Sequence, residues 1–255
     1  MTVLAAQPPR EGPMQLSHLK AVAATGLPWR VQDKATGMVF LLCPRATVII
    51  GSTALEYGHQ DGDEIATEVL GRPFYLAEAP VTQSQWERVT GTNPSVHQGA
   101  ALPVDNVSAW NCIEFLRSMG PGFRFPRESE WEYACRAGSE TPFSHADQLD
   151  AHAVNYNGGH PYPGGAPGPN RRTPVPAGSL PPNRWGFHEM LGNVWEWCSA
   201  HPSRVVMNGD VRVQTVLRGG SWGNHAHSCR CASRLVRIPE YRRQNAGFRV
   251  VKDVA

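Results

Sequence analysis

The chain has 255 residues, of which 41% are hydrophobic and 18% charged, with a formal net charge of +2. This length is enough for one large domain with a sizeable core. A net charge this small favours neither nucleic acid nor a membrane surface as partner, and no stretch is apolar over the roughly eighteen residues of a membrane-spanning helix. The 25 glycines and 22 prolines indicate much irregular loop.

The first residues lack a basic start followed by an apolar core, so we expect no signal peptide. We interpret residues 1–30 as an N-terminal extension with one weak helical pattern, Leu16 to Ala24, and residues 31–255 as the domain. The cysteines show no CxxC spacing, which favours reduced thiols and a cytoplasmic location. The alternative location is a virion or a cell surface, which the protein would reach through a partner. The cysteines are Cys43, Cys112, Cys135, Cys198, Cys229 and Cys231.

Apolar and β-branched runs predict short strands. We expect a hairpin over Trp29–Ser52, with its first turn at Lys34–Gly37, and a polar loop over residues 53–71. The predicted strands are Met38–Leu42, Thr47–Ile50 and Phe74–Ala77.

Three short helices follow. Thr82 and Gln85 have capping-box spacing and predict a helix that ends near Gly91. A second helix is predicted over Ser108–Met119, and a third within Phe125–Gly138. The predicted apolar face of the second helix consists of Trp110, Ile113, Phe115 and Leu116. Residues 139–183 are predicted to be a long loop, which inside a domain is usually functional.

Three blocks near the C-terminus carry a family resemblance. They are WGFHEMLGNVWEWC at Trp185–Cys198, LRGGSW at Leu217–Trp222 and GFRVV at Gly247–Val251. They resemble the formylglycine-generating enzyme and sulfatase-modifying factor family. The resemblance covers roughly Gly37 to Val251. It implies an α+β, C-type-lectin-like fold of the formylglycine-generating type, with few short helices, short strands and much irregular loop.

In the enzymes of this family, the resemblance implies a copper-binding cysteine pair five residues apart, just after the Gly-Gly-Ser-aromatic turn. Here the second position is Cys229, but the first is Asn224. A neutral carboxamide cannot replace a thiolate for soft Cu(I), and Cys231 lies two residues beyond. We therefore expect no catalytic residues and a buried, apolar role for Cys229. The alternative is a metal-dependent oxidase that acts on a cysteine in a protein substrate.

The resemblance also implies a calcium site in some members. Its ligands would be Glu189, the carbonyls of Gly192 and Val194, and Glu196, although a residue shorter than Glu189 is usual there. Oxygen ligands suit this hard cation. The alternative is a hydrogen-bonded turn with two core tryptophans. We expect that no cofactor is required, with Ca²⁺ left open.

The C-terminal segment, residues 216–251, alternates framework residues with chemically varied ones. Every varied residue is of a type that arises when the adenines of an AAC codon are randomised. This pattern resembles the variable proteins of diversity-generating retroelements, which implies a surface that binds a ligand. The alternative is an ordinary member of the family whose loop residues have drifted. The predicted variable positions are Gly223, Asn224, His225, His227, Ser228, Cys231, Ser233, Leu235, Val236, Ile238, Tyr241, Arg243 and Asn245.

A surface of interchangeable side chains needs a backbone fixed by other residues. We predict that Arg230, Arg234 and Arg249 bond loop carbonyls through their forked donors. Exposed aliphatic residues beside Tyr241 and Arg243 would form a protein-binding patch, so we expect the unknown ligand to be a protein. The alternative is that the same aliphatic residues belong to the core.

Overall fold

The computed structural model describes residues 1–9, 14–144, 146–199, 204–207, 210–213 and 215–254, with 204–207 and 210–213 described by backbone alone. The helices are α1 (Leu16–Ala24), α2 (Gln83–Thr90), α3 (Ala109–Met119) and α4 (Glu128–Arg136), with a 3-10 turn at Ala226–Cys229. The first seven strands are β1 (Thr2–Ala5), β2 (Arg30–Gln32), β3 (Val39–Cys43), β4 (Ala46–Ile50), β5 (Ala66–Leu70), β6 (Phe74–Ala77) and β7 (Phe123–Arg124). The other strands are β8 (Trp195–Cys198), β9 (Arg204–Met207), β10 (Asp210–Val213), β11 (Thr215–Arg218), β12 (Arg234–Arg237), β13 (Ala246–Phe248) and β14 (Val251–Asp253).

Two larger sheets organise the described strands. A six-stranded sheet has the order β1-β2-β3-β6-β14-β7, and a four-stranded sheet has the order β12-β11-β8-β13. In the second sheet, β8 pairs antiparallel with β11 and parallel with β13, so that Trp197 lies opposite both Leu217 and Phe248. This pairing brings together the three sequence blocks that carry the family resemblance.

The core is built around aromatic side chains. Trp131, Trp197 and Phe248 are fully buried, and the Phe248 ring makes edge contacts with Trp86 and Phe115. Helices α2 and α3 therefore pack against β13, the strand near the end of the C-terminal segment. No helix among the described residues is long and apolar enough to cross a bilayer.

The predicted helices are confirmed. The capping box is present, because the Thr82 hydroxyl accepts from Gln85 N at 3.2 Å and the Gln85 side chain accepts from Thr82 N at 2.9 Å. One assignment is wrong, since Trp110 is 47% exposed. α3 instead buries Ala109, Cys112, Phe115 and Leu116, and the spacing of these four residues places Trp110 beside the buried stripe.

The strand predictions are correct for β3, β4 and β6, but β5 lies within the predicted loop of residues 53–71. Among the described strands, β5 pairs only with β4, and most of its side chains are exposed. Because exposed positions need no apolar residues, the sequence of β5 lacks the apolar pattern that predicts a strand. The helical pattern at Leu16–Ala24 is confirmed as α1. The boundary after residue 30 stays a prediction, and β1 adds an edge strand to the domain sheet.

Candidate binding surface

The C-terminal segment leaves the four-stranded sheet through Gly219 and Gly220. Both have positive φ, +93° and +76°. A Cβ on Gly219 would lie 2.7 Å from the Met190 carbonyl oxygen, and one on Gly220 would lie 2.8 Å from that of Ser228. Only glycine satisfies both the left-handed backbone and the close approach. The paired glycines therefore set the direction in which the segment leaves the sheet.

Arg230 holds the backbone of the first half of the C-terminal segment from the buried side. It is fully buried and donates to the Glu56 carboxylate at 2.5 Å and to the Asp63 carboxylate at 2.7 Å. It also donates to the carbonyls of His227, at 2.9 Å, and Gly58. A buried guanidinium with all of these acceptors ties the 3-10 turn to the loop of residues 52–63.

Two more arginines confirm the predicted anchoring. Arg249 donates to both oxygens of Glu196, at 2.6 and 2.7 Å, and to the His188 carbonyl at 2.9 Å. Arg234 donates to both oxygens of Glu128, at 2.6 and 2.8 Å, and to the Gly62 carbonyl at 2.8 Å.

Sequence reasoning missed a fourth anchor, Arg218. It is 2% exposed, pairs with Glu132, and donates to the carbonyls of Cys231 and Ala232 at 2.9 and 3.0 Å. A signal was present, because an arginine at the end of a buried strand must find acceptors. We call Arg218, Arg230, Arg234 and Arg249 the arginine frame.

The predicted variable positions divide by burial. Gly223, His225, Val236, Ile238 and Arg243 are exposed, and Asn224, His227, Ser228, Leu235, Tyr241 and Asn245 are partly exposed. Cys231 and Ser233 are 0% and 5% exposed, so their placement on the surface is wrong. They lie in the stretch whose backbone Arg218 holds, and the Cys231 Sγ is 3.5 Å from the Cys135 Sγ. The other eleven positions reach solvent.

One part of the surface is a cluster of histidine and tyrosine rings, the histidine patch: Tyr57, His160, Tyr162, His225 and His227. The rings of His160 and His225 stack with centroids 3.9 Å apart, and His227 makes edge contacts with His225 and Tyr57. Burial, and then the neighbouring His160, lowers the pKa of His225, while burial, His225 and Arg230 lower that of His227. Three of these rings belong to earlier loops, which sequence reasoning did not connect with the C-terminal segment.

The other part is the arginine–tyrosine patch: Trp110, Val236, Arg237, Ile238, Tyr241 and Arg243. The guanidiniums of Arg237 and Arg243 lie 5.3 and 5.5 Å from the centre of the Tyr241 ring. Val236 and Ile238 are 37% and 41% exposed, whereas Tyr241, like its neighbour Leu235, packs partly against the core. The aliphatic residues were expected either at the surface or in the core. Val236 and Ile238 lie at the surface, whereas Leu235 is partly buried against the core.

The position of the family's first cysteine is occupied by an engaged carboxamide. The Asn224 Oδ1 accepts from the Trp195 Nε1 at 2.9 Å and from the Ser221 Oγ at 2.5 Å. The Asn245 Nδ2 donates to the same Ser221 Oγ at 2.8 Å. Burial raises the pKa of the Cys229 thiol to about 12, so that it stays protonated at neutral pH.

These residues do not fit a copper ion. Cu(I) favours thiolates, but only one of the two positions carries a thiol, and the other carries a carboxamide whose oxygen already accepts two hydrogen bonds. Among the described residues, no cluster of three or more His, Cys, Asp or Glu side chains is arranged to hold a metal ion.

The carboxylates of the predicted calcium site have protein partners. Glu189 accepts from the backbone N–H groups of Gly178 and Leu180, at 2.8 and 3.1 Å. Glu196 pairs with Arg249 and accepts from the Trp131 Nε1 at 2.7 Å. As placed, these residues do not fit Ca²⁺, because the ion would compete with a buried guanidinium. Calcium binding stays a prediction without geometric support.

Residues 41–254 match the family model described as the sulfatase-modifying factor enzyme 1-like domain. The chain belongs to this family. It is 30% identical over 210 residues to the formylglycine-generating enzyme of Bos taurus, across 74% of this chain and 54% of that protein. It is 29% identical over 177 residues to the inactive C-alpha-formylglycine-generating enzyme 2 of Mus musculus, across 67% and 55%. The chain spans about half the length of these relatives.

Two solved structures are similar over nearly the whole fold. Treponema denticola variable protein 1 has a TM-score of 0.73 at 21% identity, over 89% of this chain and 100% of that one. PvdO from Pseudomonas aeruginosa has a TM-score of 0.72 at 23% identity, over 88% and 98%. The predicted family and the α+β, C-type-lectin-like fold are thereby confirmed. Because the family includes proteins named as enzymes and proteins named inactive, membership leaves the activity of this chain open.

Proposed function

We propose that this chain is a non-catalytic binding protein that presents a diversified C-terminal surface, as the variable proteins of diversity-generating retroelements do. The observation that carries the proposal is the carboxamide of Asn224 at the position of the family's first cysteine, with its oxygen hydrogen-bonded to Trp195 and Ser221, while the second position, Cys229, is fully buried. This pair cannot supply the two thiolates that soft copper requires. We expect the ligand to be a protein.

The division of labour within the C-terminal segment supports the same proposal. The arginine frame holds the backbone through bonds to buried or partly buried carboxylates and to backbone carbonyls, while eleven of the predicted variable positions reach solvent. Replacing an exposed side chain on a fixed backbone changes binding with little effect on folding. The fold shared with Treponema denticola variable protein 1 suits this arrangement.

Titration with Cu(I) tests the absence of catalysis. We expect the wild-type protein to bind no stoichiometric Cu(I) in competition with a strong chelator, and Cys229→Ser to behave identically. An Asn224→Cys variant, which restores the family's cysteine pair, is the matched control and should bind Cu(I) more tightly. Tight wild-type binding that is lost in Cys229→Ser would refute the proposal.

Sequencing the gene in sibling isolates tests the diversification. Differences should concentrate at the eleven solvent-accessible positions, with the arginine frame constant, and an AAC-rich near-repeat should lie beside a reverse-transcriptase gene. A gene with evenly scattered differences and no such repeat would remove the basis for a variable surface.

A second candidate function is a metal-dependent oxidase acting on a cysteine in a protein substrate. The identity of about 30% to formylglycine-generating enzymes favours it. Oxygen consumption with a cysteine-containing peptide and copper, abolished in Cys229→Ser, would support this candidate over the binding protein.

A further inference from the structure

The arginines near the C-terminus fall into two classes. The four members of the arginine frame each pair with a carboxylate. Arg237, Arg242 and Arg243 are exposed, and none of the ion pairs between described residues involves them. Three guanidiniums within seven residues of sequence therefore face solvent with their charge available to a partner.

The arginine–tyrosine patch holds two of these guanidiniums in place. Arg237 and Arg243 both lie over the Tyr241 ring, and Arg237 also donates to the Val236 carbonyl at 2.7 Å. The Tyr241 ring in turn makes an edge contact with the buried Trp197, 6.2 Å between centroids. Cation–π contacts to an anchored ring reduce the conformational freedom that each arginine would lose on binding.

Apolar surface adjoins these charges. Val236 and Ile238 are exposed on one side, and Trp110 is 47% exposed, with its Nε1 donating to Glu240 at 3.0 Å. Trp, Tyr and Arg beside exposed aliphatic groups form the composition that dominates binding energy at protein interfaces.

We propose that the arginine–tyrosine patch binds an acidic segment of a protein partner. Carboxylates of the partner pair with Arg237 and Arg243, and an apolar side chain of the same segment contacts the exposed Val236 and Ile238 at the edge of the sheet. Guanidinium forks match carboxylates in a bidentate geometry. A nucleic acid fits less well, because the surfaces that bind nucleic acid are extended basic stripes or patches, whereas these few arginines are neighbours in sequence of exposed apolar residues, on a chain of net charge +2.

This inference rests on the proposed function and refines it. Trp110 and Arg237 lie outside the predicted variable set, whereas Val236, Ile238, Tyr241 and Arg243 lie within it. The preference for an acidic partner is thus carried in part by residues that diversification does not reach, and the exchangeable residues select among acidic partners.

Selection from a phage-displayed random peptide library on the full-length protein tests the inference. Selected peptides should be enriched in Asp and Glu over the unselected library, and their binding should weaken as salt rises. The double variant Arg237→Gln/Arg243→Gln should weaken the binding of the best peptide about tenfold or more. The control Arg72→Gln, an exposed arginine between β5 and β6, should change it less than about twofold. Melting temperatures verify that both variants are folded.

The outcomes separate this inference from the proposed function. Peptides without acidic enrichment that lose binding in the double variant would overturn the inference and leave a binding C-terminal surface intact. Peptides that bind regardless of substitutions at the exposed C-terminal positions would contradict the proposed function itself. The inference also fails if no peptide is selected, or if a single-stranded oligonucleotide binds the patch more tightly than the selected peptides do.

Discussion

Replacing Arg230 by methionine should destabilise the protein strongly, because two carboxylates would lose their partner. The side chain of Asp63 is 2% exposed and that of Glu56 is 13% exposed, so neither charge is well solvated without the guanidinium. Breaking a buried ion pair by removing one partner costs about 3–5 kcal/mol. The carbonyls of His227 and Gly58 also lose a donor, which adds about 1 kcal/mol or more.

We therefore expect Arg230→Met to lower the free energy of unfolding by about 4–6 kcal/mol, which for a chain of this size lowers the melting temperature by roughly 10–20 °C. Urea and thermal unfolding measure the two quantities. Arg72→Met is the matched control, because Arg72 is exposed, and it should change stability by less than about 0.5 kcal/mol. A loss below about 1 kcal/mol in Arg230→Met would refute the anchoring role.

A second variant tests the cause of that loss. Adding Asp63→Asn to Arg230→Met removes one of the two stranded charges, so the double variant should recover part of the lost stability. Asp63→Asn alone should be destabilising. Strictly additive losses would mean that Arg230 acts through packing and carbonyl contacts, with little contribution from charge.

Three further predictions concern other parts of the molecule. Burial against Trp185 lowers the pKa of His18 from 6.5 to about 4, so the unfolded chain takes up the proton at a higher pH than the folded chain does. The contribution of His18 to stability should therefore be complete above pH 6.5, and the free energy of unfolding should fall by up to about 3 kcal/mol as the pH drops to 4. Melting of His18→Phe as a function of pH should lack this loss. Gly220→Ala should destabilise by about 2 kcal/mol or more, because its Cβ would lie 2.5 Å from the Cys229 Sγ at φ +76°, whereas Gly223→Ala, with nothing within 4 Å, should unfold like the wild type in urea. Refolding in an oxidising buffer should form a disulfide between Cys135 and Cys231, whose Sγ atoms are 3.5 Å apart. This disulfide should raise the free energy of unfolding by roughly 4 kcal/mol, because it closes a loop of 96 residues. The mass of the protein should fall by two hydrogens, and Cys135→Ala should abolish both changes.

Sequence patterns predicted elements whose signals are local. The Thr82 capping box and the helix end near Gly91 depend on neighbouring backbone, so each can be read within a few residues. β5 was missed because its exposed side chains give no apolar alternation. Trp110 was placed in the core because its residue type outweighed its position on the helix.

The composition of the candidate site depended on contacts distant in sequence. The Arg230 partners Glu56 and Asp63 lie more than 160 residues away, and no periodicity links them. For the same reason, the ring of His160 beside His225 was outside the reach of motif reasoning. The burial of Cys231 and Ser233 follows from the path that Arg218 imposes on the backbone, which only the assembled sheet reveals.

The hydrogen bonds at Ser221 divide the exposed positions further. Most of these side chains take no part in holding the backbone, so exchanging one should cost only its own contacts. Asn224 and Asn245 are different, because both amides bond the Ser221 hydroxyl and thereby link the beginning of the segment to its end. Under the proposed diversification, asparagine is also the residue that an unchanged AAC codon encodes. The two positions that carry the template residue are thus the two at which its carboxamide has a structural role, and variation among sibling genes should be lower there than at the other nine solvent-accessible positions.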